Sequence, residues 1–445
     1  GPYPVARYLP GDQYIAPRSA ILRGCNGLPG EKRTGVRTTA GWEFSLHPAR
    51  RKTVDRSMNF EEICSFEALY QAYLDAREGK RKKSGCAEYE ANALACTEKL
   101  SRILLDGSYR PGKFHTFYVY EPKQRLVQAP AFVDKVVLHA LVDNALYEAM
   151  THSFIRGNHA SQIDKGTHDG LMYLKQNLNR YYRRHRTAKG WVLKGDVRHF
   201  FASIDHDRLK EKLKTVCVKR RVDVKIYELL CVYIDTAEGL PLGYQTSQLL
   251  ALLYLDEFDH AVQEQYRPEG YGRYMDDFYM IFRTKAEAQA VLAASRDYMA
   301  RAGLELNGKT AIFPLRNGID FIGFHSYLTE TGKVVQKLRR DGIQRIRARV
   351  KEWRVEYPKG EISKEKIIER FEAWDAWAAH GDTYTLRLKY AKQVGEIVGE
   401  EIKPRRKINA TKMVTFKRRM KQQLRQAGQR EEPTVTFRCY RAGDE

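Results

Sequence analysis

With 445 residues, 43% of them hydrophobic and 11% aromatic, the chain is long and apolar enough to build a sizeable core in two or three subdomains, which excludes an intrinsically disordered protein. Lysine and arginine outnumber aspartate and glutamate by 77 to 55, a formal charge of +22, the balance of a surface that tracks phosphates and releases their counterions. Seven cysteines are scattered without a Cys-x-x-Cys pair, against a disulfide framework or zinc ribbon and in keeping with a reducing, cytoplasmic setting. No apolar run approaches the ~20 residues of a membrane span, and no signal peptide is evident, so no membrane partner is expected.

Residues 1 to 57 are rich in Gly, Pro, Arg and Thr and read as an irregular basic extension, with a short element at Trp42-Glu43-Phe44-Ser45-Leu46. From 60 to 105 the pattern is helical: Phe66, Leu69, Tyr70 and Tyr73 fall on one face at i, i+3, i+4 and i+7, and residues 77–83 make a basic loop. Residues 114–120 are β-rich, and 124–127 continue the strand character after a Glu121-Pro122-Lys123 turn. Residues 133–150 read as a buried helix. A short apolar strand at 191–197 is followed by a helix through Leu209 and Leu213 that Ser203 or Asp205 can cap. A second helix spans 246–262, residues 271–282 have the composition of a β-hairpin, and an Ala-rich helix over 286–302 closes on Gly303. Further strands are expected around 304–314 and 319–327, giving an α+β layer of antiparallel sheet backed by helices. From Lys337 onward Arg339, Arg340, Arg345, Arg347, Arg349, Lys351 and Arg354 decorate one long helical stretch, and Trp374, Trp377, Leu386, Tyr390 and Val394 supply the apolar faces of a helical bundle. A basic tail ends the chain.

The hairpin carries Tyr274-Met275-Asp276-Asp277 at its turn. Adjacent carboxylates in an apolar frame are costly to keep ionised unless a cation compensates them, and magnesium prefers such oxygen ligands. An isolated Asp-Asp turn is ordinarily a solvated one. Here Lys194-Gly195-Asp196-Val197 puts a third carboxylate at the end of a predicted strand. Two neighbouring strands would bring the three together, as phosphoryl transfer through two metal ions requires.

Tyr-Met-Asp-Asp resembles motif C of reverse transcriptases, and the Asp196 segment resembles their motif A. Ordered matches continue over residues 60 to 395. The resemblance implies a right-hand polymerase fold, with fingers at 58–190, a palm at 191–324, a helical thumb at 325–400 and a basic tail at 401–445. It implies an RNA-directed DNA polymerase taking RNA template, a cDNA or primer end and deoxynucleotides. Its cofactor would be two Mg2+ ions, with Mn2+ as a substitute, held by Asp196, Val197, Asp276 and Asp277. Phe201, five residues after Asp196, matches the aromatic that rejects a 2′-hydroxyl, and neighbouring Phe200 reads equally as core. Lys123 and Arg125 match the motif that grips the incoming triphosphate, where the plain alternative is a solvated turn. Lys309, in Leu304-Glu305-Leu306-Asn307-Gly308-Lys309, matches the candidate proton donor to pyrophosphate, or is a surface lysine. Phe321, Ile322 and Gly323 resemble the primer grip.

Leu240-Pro241-Leu242-Gly243-Tyr244-Gln245-Thr246-Ser247-Gln248 narrows the type. Most reverse transcriptases have Gln where Leu242 stands and Pro where Gln248 stands. Leu242, Gly243 and Gln248, which line the nucleotide site in the family, resemble the enzymes of diversity-generating retroelements, which copy RNA with errors opposite adenine. The 131–137, 165–168 and 380–384 segments also resemble that bacterial group. The long basic extension departs from it, and would bind a noncoding RNA or a second subunit, or wrap the fingers. An antiphage-defence reverse transcriptase with a dedicated noncoding RNA is the main alternative. Others are a catalytically idle RNA-binding protein and an intron maturase, the latter opposed by Ser-Gln in place of Ser-Pro. An accessory protein or a homo-oligomer is compatible with all of these. Tyr181-Tyr182-Arg183-Arg184-His185-Arg186 reads either as an RNA clamp or as a solvated helix end.

Overall fold

The computed structural model describes residues 42–47, 59–120, 124–405 and 434–439. The described residues fall into two compact units, a large one holding 59–120 and 124–405 and a small one holding 42–47 and 434–439. In the small unit, β1 (Trp42–His47) pairs antiparallel with the segment Thr434–Cys439, Trp42 opposite Cys439.

The large unit opens with α1 (Phe60–Ile63), α2 (Phe66–Ala76), α3 (Ser84–Ala91) and α4 (Ala93–Leu105). Asn59 and Ser65 start the first two by accepting the backbone N–H groups of Glu61 and Ala68. Leu69, Tyr73 and Ala76 form the buried face of α2, packed on α5 (Phe132–Leu141). Between these helices lies a hairpin, β2 (His115–Val119) with β3 (Arg125–Ala129). The helix expected over 133–150 is present as α5 and α6 (Tyr147–Thr151), joined through a π turn at Val142–Leu146. Next comes α7 (Thr167–His185), which ends on Arg186 in the left-handed conformation, so the Tyr181 to Arg186 stretch is a helix end.

The centre consists of β4 (Trp191–Asp196), α8 (His206–Lys219), α9 (Val224–Ile234), α10 (Gln245–Tyr254), α11 (Asp256–Ala261), β5 (Gly270–Tyr274), β6 (Asp277–Phe282), α12 (Lys285–Arg301) and β7 (Ala311–Pro314). Asp205, of the two candidate caps, starts α8 by accepting from Arg208 N–H. The strands form one antiparallel sheet in the order β5-β6-β4-β7. Both faces of this sheet are covered, and its period-2 alternation divides the core. Leu193, Phe278 and Met280 enter the large cluster that contains α8 and α10 residues. Val192, Tyr279 and Ile281 enter a second cluster with Leu174, Leu178 and Tyr181 of α7.

A three-stranded sheet follows, β8 (Ile319–Phe321), β9 (Phe324–Leu328) and β10 (Val334–Leu338), in the order β10-β9-β8. Three helices, α13 (Arg340–Glu356), α14 (Lys364–Ala378) and α15 (Tyr384–Val398), bury Ile346, Val350, Trp353, Phe371, Tyr390 and Val394 among themselves. Two expectations are corrected. Lys337 lies in a strand because the Val334-to-Leu338 run alternates buried and outward residues, and the basic helix starts at Arg340. Of residues 304–314 only the last four form a strand, since Asn307-Gly308 turns the chain first. No helix among the described residues is long and apolar enough to cross a membrane.

Candidate active site

The antiparallel register of β4 on β6 sets Asp196, the last residue of one strand, directly opposite Asp277, the first of the other. Met275 and Asp276 form the two-residue turn between β5 and β6, closed by Tyr274 opposite Asp277. Val197, which is buried, donates its N–H to the Asp276 carbonyl at 3.2 Å. Three carboxylates thus collect at one end of the two central strands. Met275 has φ 57° while Asp276 is not left-handed, the sign pattern of a type II′ turn with methionine where glycine is the usual residue. Holding such a conformation costs about 1–3 kcal/mol, which the surrounding contacts must offset.

Burial pushes the Asp276 carboxyl above its ordinary range, and Asp196 adds to the rise. Two residues that the sequence reading passed over answer this charge. The Lys194 ammonium lies against the Asp277 carboxylate, 3.3 Å from the Phe278 carbonyl and 5.5 Å from the centre of the Phe321 ring. Burial brings its pKa down to about 7, against the opposing pull of Asp196 and Asp276. Lys194 could have been found, because it lies two residues before Asp196 and so on the same side of the strand. Asn307 donates its backbone N–H to the Asp196 carbonyl at 2.7 Å and its amide to Asp196 Oδ2 at 3.0 Å. That contact joins residues 111 apart in sequence and left no local signal.

The donors here are carboxylate oxygens, the ligands magnesium prefers, and a half-buried Asp276 beside Asp196 is a pair that a divalent cation would relieve. Among the described residues no three His, Cys, Asp or Glu side chains already form a metal cage. Lys194 engages Asp277 and Asn307 engages Asp196.

Phe201 is half-buried, and its carbonyl accepts the Leu240 N–H at 2.7 Å, whereas Phe200 is core at 3% exposure. The loop containing Leu242 and Gly243 is fastened to β3: Gln128 N–H donates to the Leu242 carbonyl at 2.9 Å. Gly243 has φ 132°, and a Cβ there would stand 2.6 Å from the Gln128 carbonyl oxygen. Gln248 accepts a hydrogen bond from Ser161. Arg125 is exposed at the start of β3 and close enough to counter the rise in the Asp276 pKa, while Lys123 lies outside the described residues. Lys309 is exposed, and its N–H donates to Asn307 Oδ1 at 3.2 Å. Phe321 is buried, and the β8–β9 turn places both Ile322 (φ 47°) and Gly323 (φ 78°) in the left-handed region. Gly323 backs onto Trp377 of α14, where a Cβ would come within 2.6 Å of the indole.

Residues 121–326, a little under half of the chain, match the family model of the reverse transcriptase (RNA-dependent DNA polymerase) domain. The chain is 25% identical to protein YkfC of Escherichia coli, over 55% of this chain and 72% of that protein. It is 26% identical to the group II intron-encoded protein LtrA of Lactococcus lactis, over 37% of this chain, and it spans 28% of that protein's length. Among solved structures, apo telomerase from Candida tropicalis aligns with a TM-score of 0.41 at 14% identity, over 65% of this chain and 62% of that one. Residues 121–326 therefore form a reverse transcriptase domain, within a chain of α+β, right-hand polymerase fold, and the chain is similar in sequence to part of the group II intron-encoded protein LtrA.

Proposed function

We propose that this protein synthesises cDNA on an RNA template for a bacterial retroelement, with Asp196, Asp276 and Asp277 as its catalytic carboxylates. The observation that carries this reading is the cross-strand register of Asp196 with Asp277, with Asp276 in the adjoining turn. When bound, two Mg2+ ions (or Mn2+) would supply activation of the primer 3′-hydroxyl and neutralisation of the triphosphate, and Asp196, Asp276, Asp277 and the Val197 backbone would hold them. Residues 58–190 act as fingers, 191–324 as palm and 325–400 as thumb. Arg125 with Lys123 grips the triphosphate, Phe201 excludes the 2′-hydroxyl, and Phe321, Ile322 and Gly323 seat the primer end. Lys309 lies at the surface next to Asn307, from where it serves the leaving pyrophosphate.

Within this class we favour error-prone copying for diversity generation. The support is that Leu242, an aliphatic side chain, occupies the loop fastened to β3, while Gln248 is engaged by Ser161. A site that lacks a directing amide discriminates less among base pairs. The working complex includes a specific template RNA and, in some assemblies, an accessory protein or a second copy of the chain. The five cysteines among the described residues carry free thiols, in keeping with a cytoplasmic setting. Copying a defined RNA with all four deoxynucleotides and sequencing the product tests the reading. Substitutions concentrated opposite adenine are expected. Faithful cDNA would refute diversity generation, and no cDNA would refute the polymerase.

A further inference from the structure

The catalytic turn is strained at Met275, and nothing in its own two residues favours that shape. Its support comes from Arg273 on β5. The Arg273 side chain is fully buried, as is Asp259 of α11, its partner. The guanidinium donates from Nε to Asp259 Oδ1 at 2.7 Å and from Nη2 to Asp259 Oδ2 at 2.5 Å. Tyr271 donates its hydroxyl to the same Oδ1 at 2.5 Å, which fixes the carboxylate in turn. The remaining arm, Nη1, donates to the Met275 carbonyl at 2.9 Å. The Arg273 backbone is tied as well, its N–H to the Gly157 carbonyl at 2.8 Å and its carbonyl to the His159 N–H at 3.0 Å.

We propose that Arg273 and Asp259 form a clamp that holds the Met275 turn and thereby sets Asp276 and Asp277 in a cation-receptive geometry. Arg273 is a positioning residue, acting through the Met275 carbonyl. A buried ion pair adds little stability over an apolar pair of the same volume, so stability alone does not account for one placed here. A planar guanidinium is what the geometry calls for: two donors face a carboxylate while a third reaches sideways to a carbonyl. Lysine at 273 could still neutralise Asp259 but could not also hold the turn.

The inference rests on the metal-binding part of the reading above, and its test uses a readout that needs no primer or template. Free Mn2+ is titrated by electron paramagnetic resonance into wild type, Arg273→Lys, Met275→Gly and the double variant, with thermal unfolding measured alongside. Arg273→Lys is expected to unfold close to wild type yet to bind Mn2+ about tenfold more weakly, the scale of losing one positioned contact. Adding Met275→Gly should restore most of that affinity, because glycine takes the left-handed turn without help. Primer extension, run in parallel, should show kcat falling with dNTP KM little changed. Wild-type Mn2+ affinity in Arg273→Lys, or losses that multiply in the double variant, would overturn the clamp. Should Arg273→Lys fail to fold, Asp259→Asn takes its place, and a folded Asp259→Asn with unchanged affinity overturns it equally. Wild type that binds Mn2+ but extends no primer counts against the polymerase reading alone, and wild type that binds none overturns both.

Discussion

Replacing Lys194 by methionine removes the cation from the middle of the carboxylate cluster while keeping an aliphatic side chain of similar length. In the wild type the Lys194 side chain is 18% exposed and that of Asp277 33%, so the pair lies between the surface and the interior. Exposed pairs contribute at most ~1 kcal/mol, and breaking a fully buried one costs ~3–5 kcal/mol. Burial, however, holds the Lys194 pKa at about 7, below its unfolded value, so its charge disfavours the folded state near neutral pH and Lys194→Met should not lower the melting temperature in chelator. A divalent cation bound by Asp276 and Asp277 would supply the missing charge. It would meet no competing ammonium, so Mg2+ should raise the variant's melting temperature more than the wild type's. Calorimetry in EDTA and across a Mg2+ titration measures both quantities. A melting temperature in EDTA well below the wild type's would contradict the burial argument, and equal stabilisation by Mg2+ would show that Lys194 does not guard this site.

Further expectations concern neighbouring positions. Phe201→Ala should reduce discrimination against ribonucleotides by roughly 10- to 100-fold in kcat/KM; Phe200→Ala, in the core, should instead cost ~3–5 kcal/mol of stability. Unchanged rejection of ribonucleotides in Phe201→Ala would remove its assigned role. Gly243→Ala adds a Cβ 2.6 Å from the Gln128 carbonyl at φ 132°, a strain of about 1–3 kcal/mol that should appear mainly as a raised dNTP KM. An unaltered KM would separate this loop from nucleotide binding. Burial, helped by Asp143, raises Asp75 to about 6. Because this lies above the unfolded value, Asp75 lowers stability progressively as pH rises from ~4 through 6. Asp75→Asn should therefore raise the melting temperature at pH 8 and leave it unchanged near pH 4, and an equal shift at both would contradict the burial argument.

Local pattern carried much of the architecture. The apolar face at Phe66, Leu69 and Tyr73 produced α2, and the strand-formers around Asp276 and Asp277 produced the β5–β6 hairpin. What stayed hidden depends on tertiary approach. The 304–310 segment looks strand-like by composition, yet its Asn307 turns back to hydrogen-bond Asp196. Lys337 looks like part of a basic helix, yet pairing with His325 makes it strand. Arg273 reads as one more basic residue in a basic chain, because nothing local shows that Asp259 will bury it. The carboxylates were legible because each lies at a strand end or turn that sequence alone delimits. The side chains that restrain them were not, because they arrive from the strand interior, the 304–310 loop and α11.

The most direct test of the central claim is primer extension on an RNA template with deoxynucleotides and Mg2+, comparing wild type with Asp276→Asn/Asp277→Asn. Both proteins should first be shown to be folded by thermal unfolding. The account predicts template-length cDNA from wild type, lost on chelation, and none from the double variant. Equal extension by the folded variant, or none by wild type on any RNA including one purified with it, would contradict it.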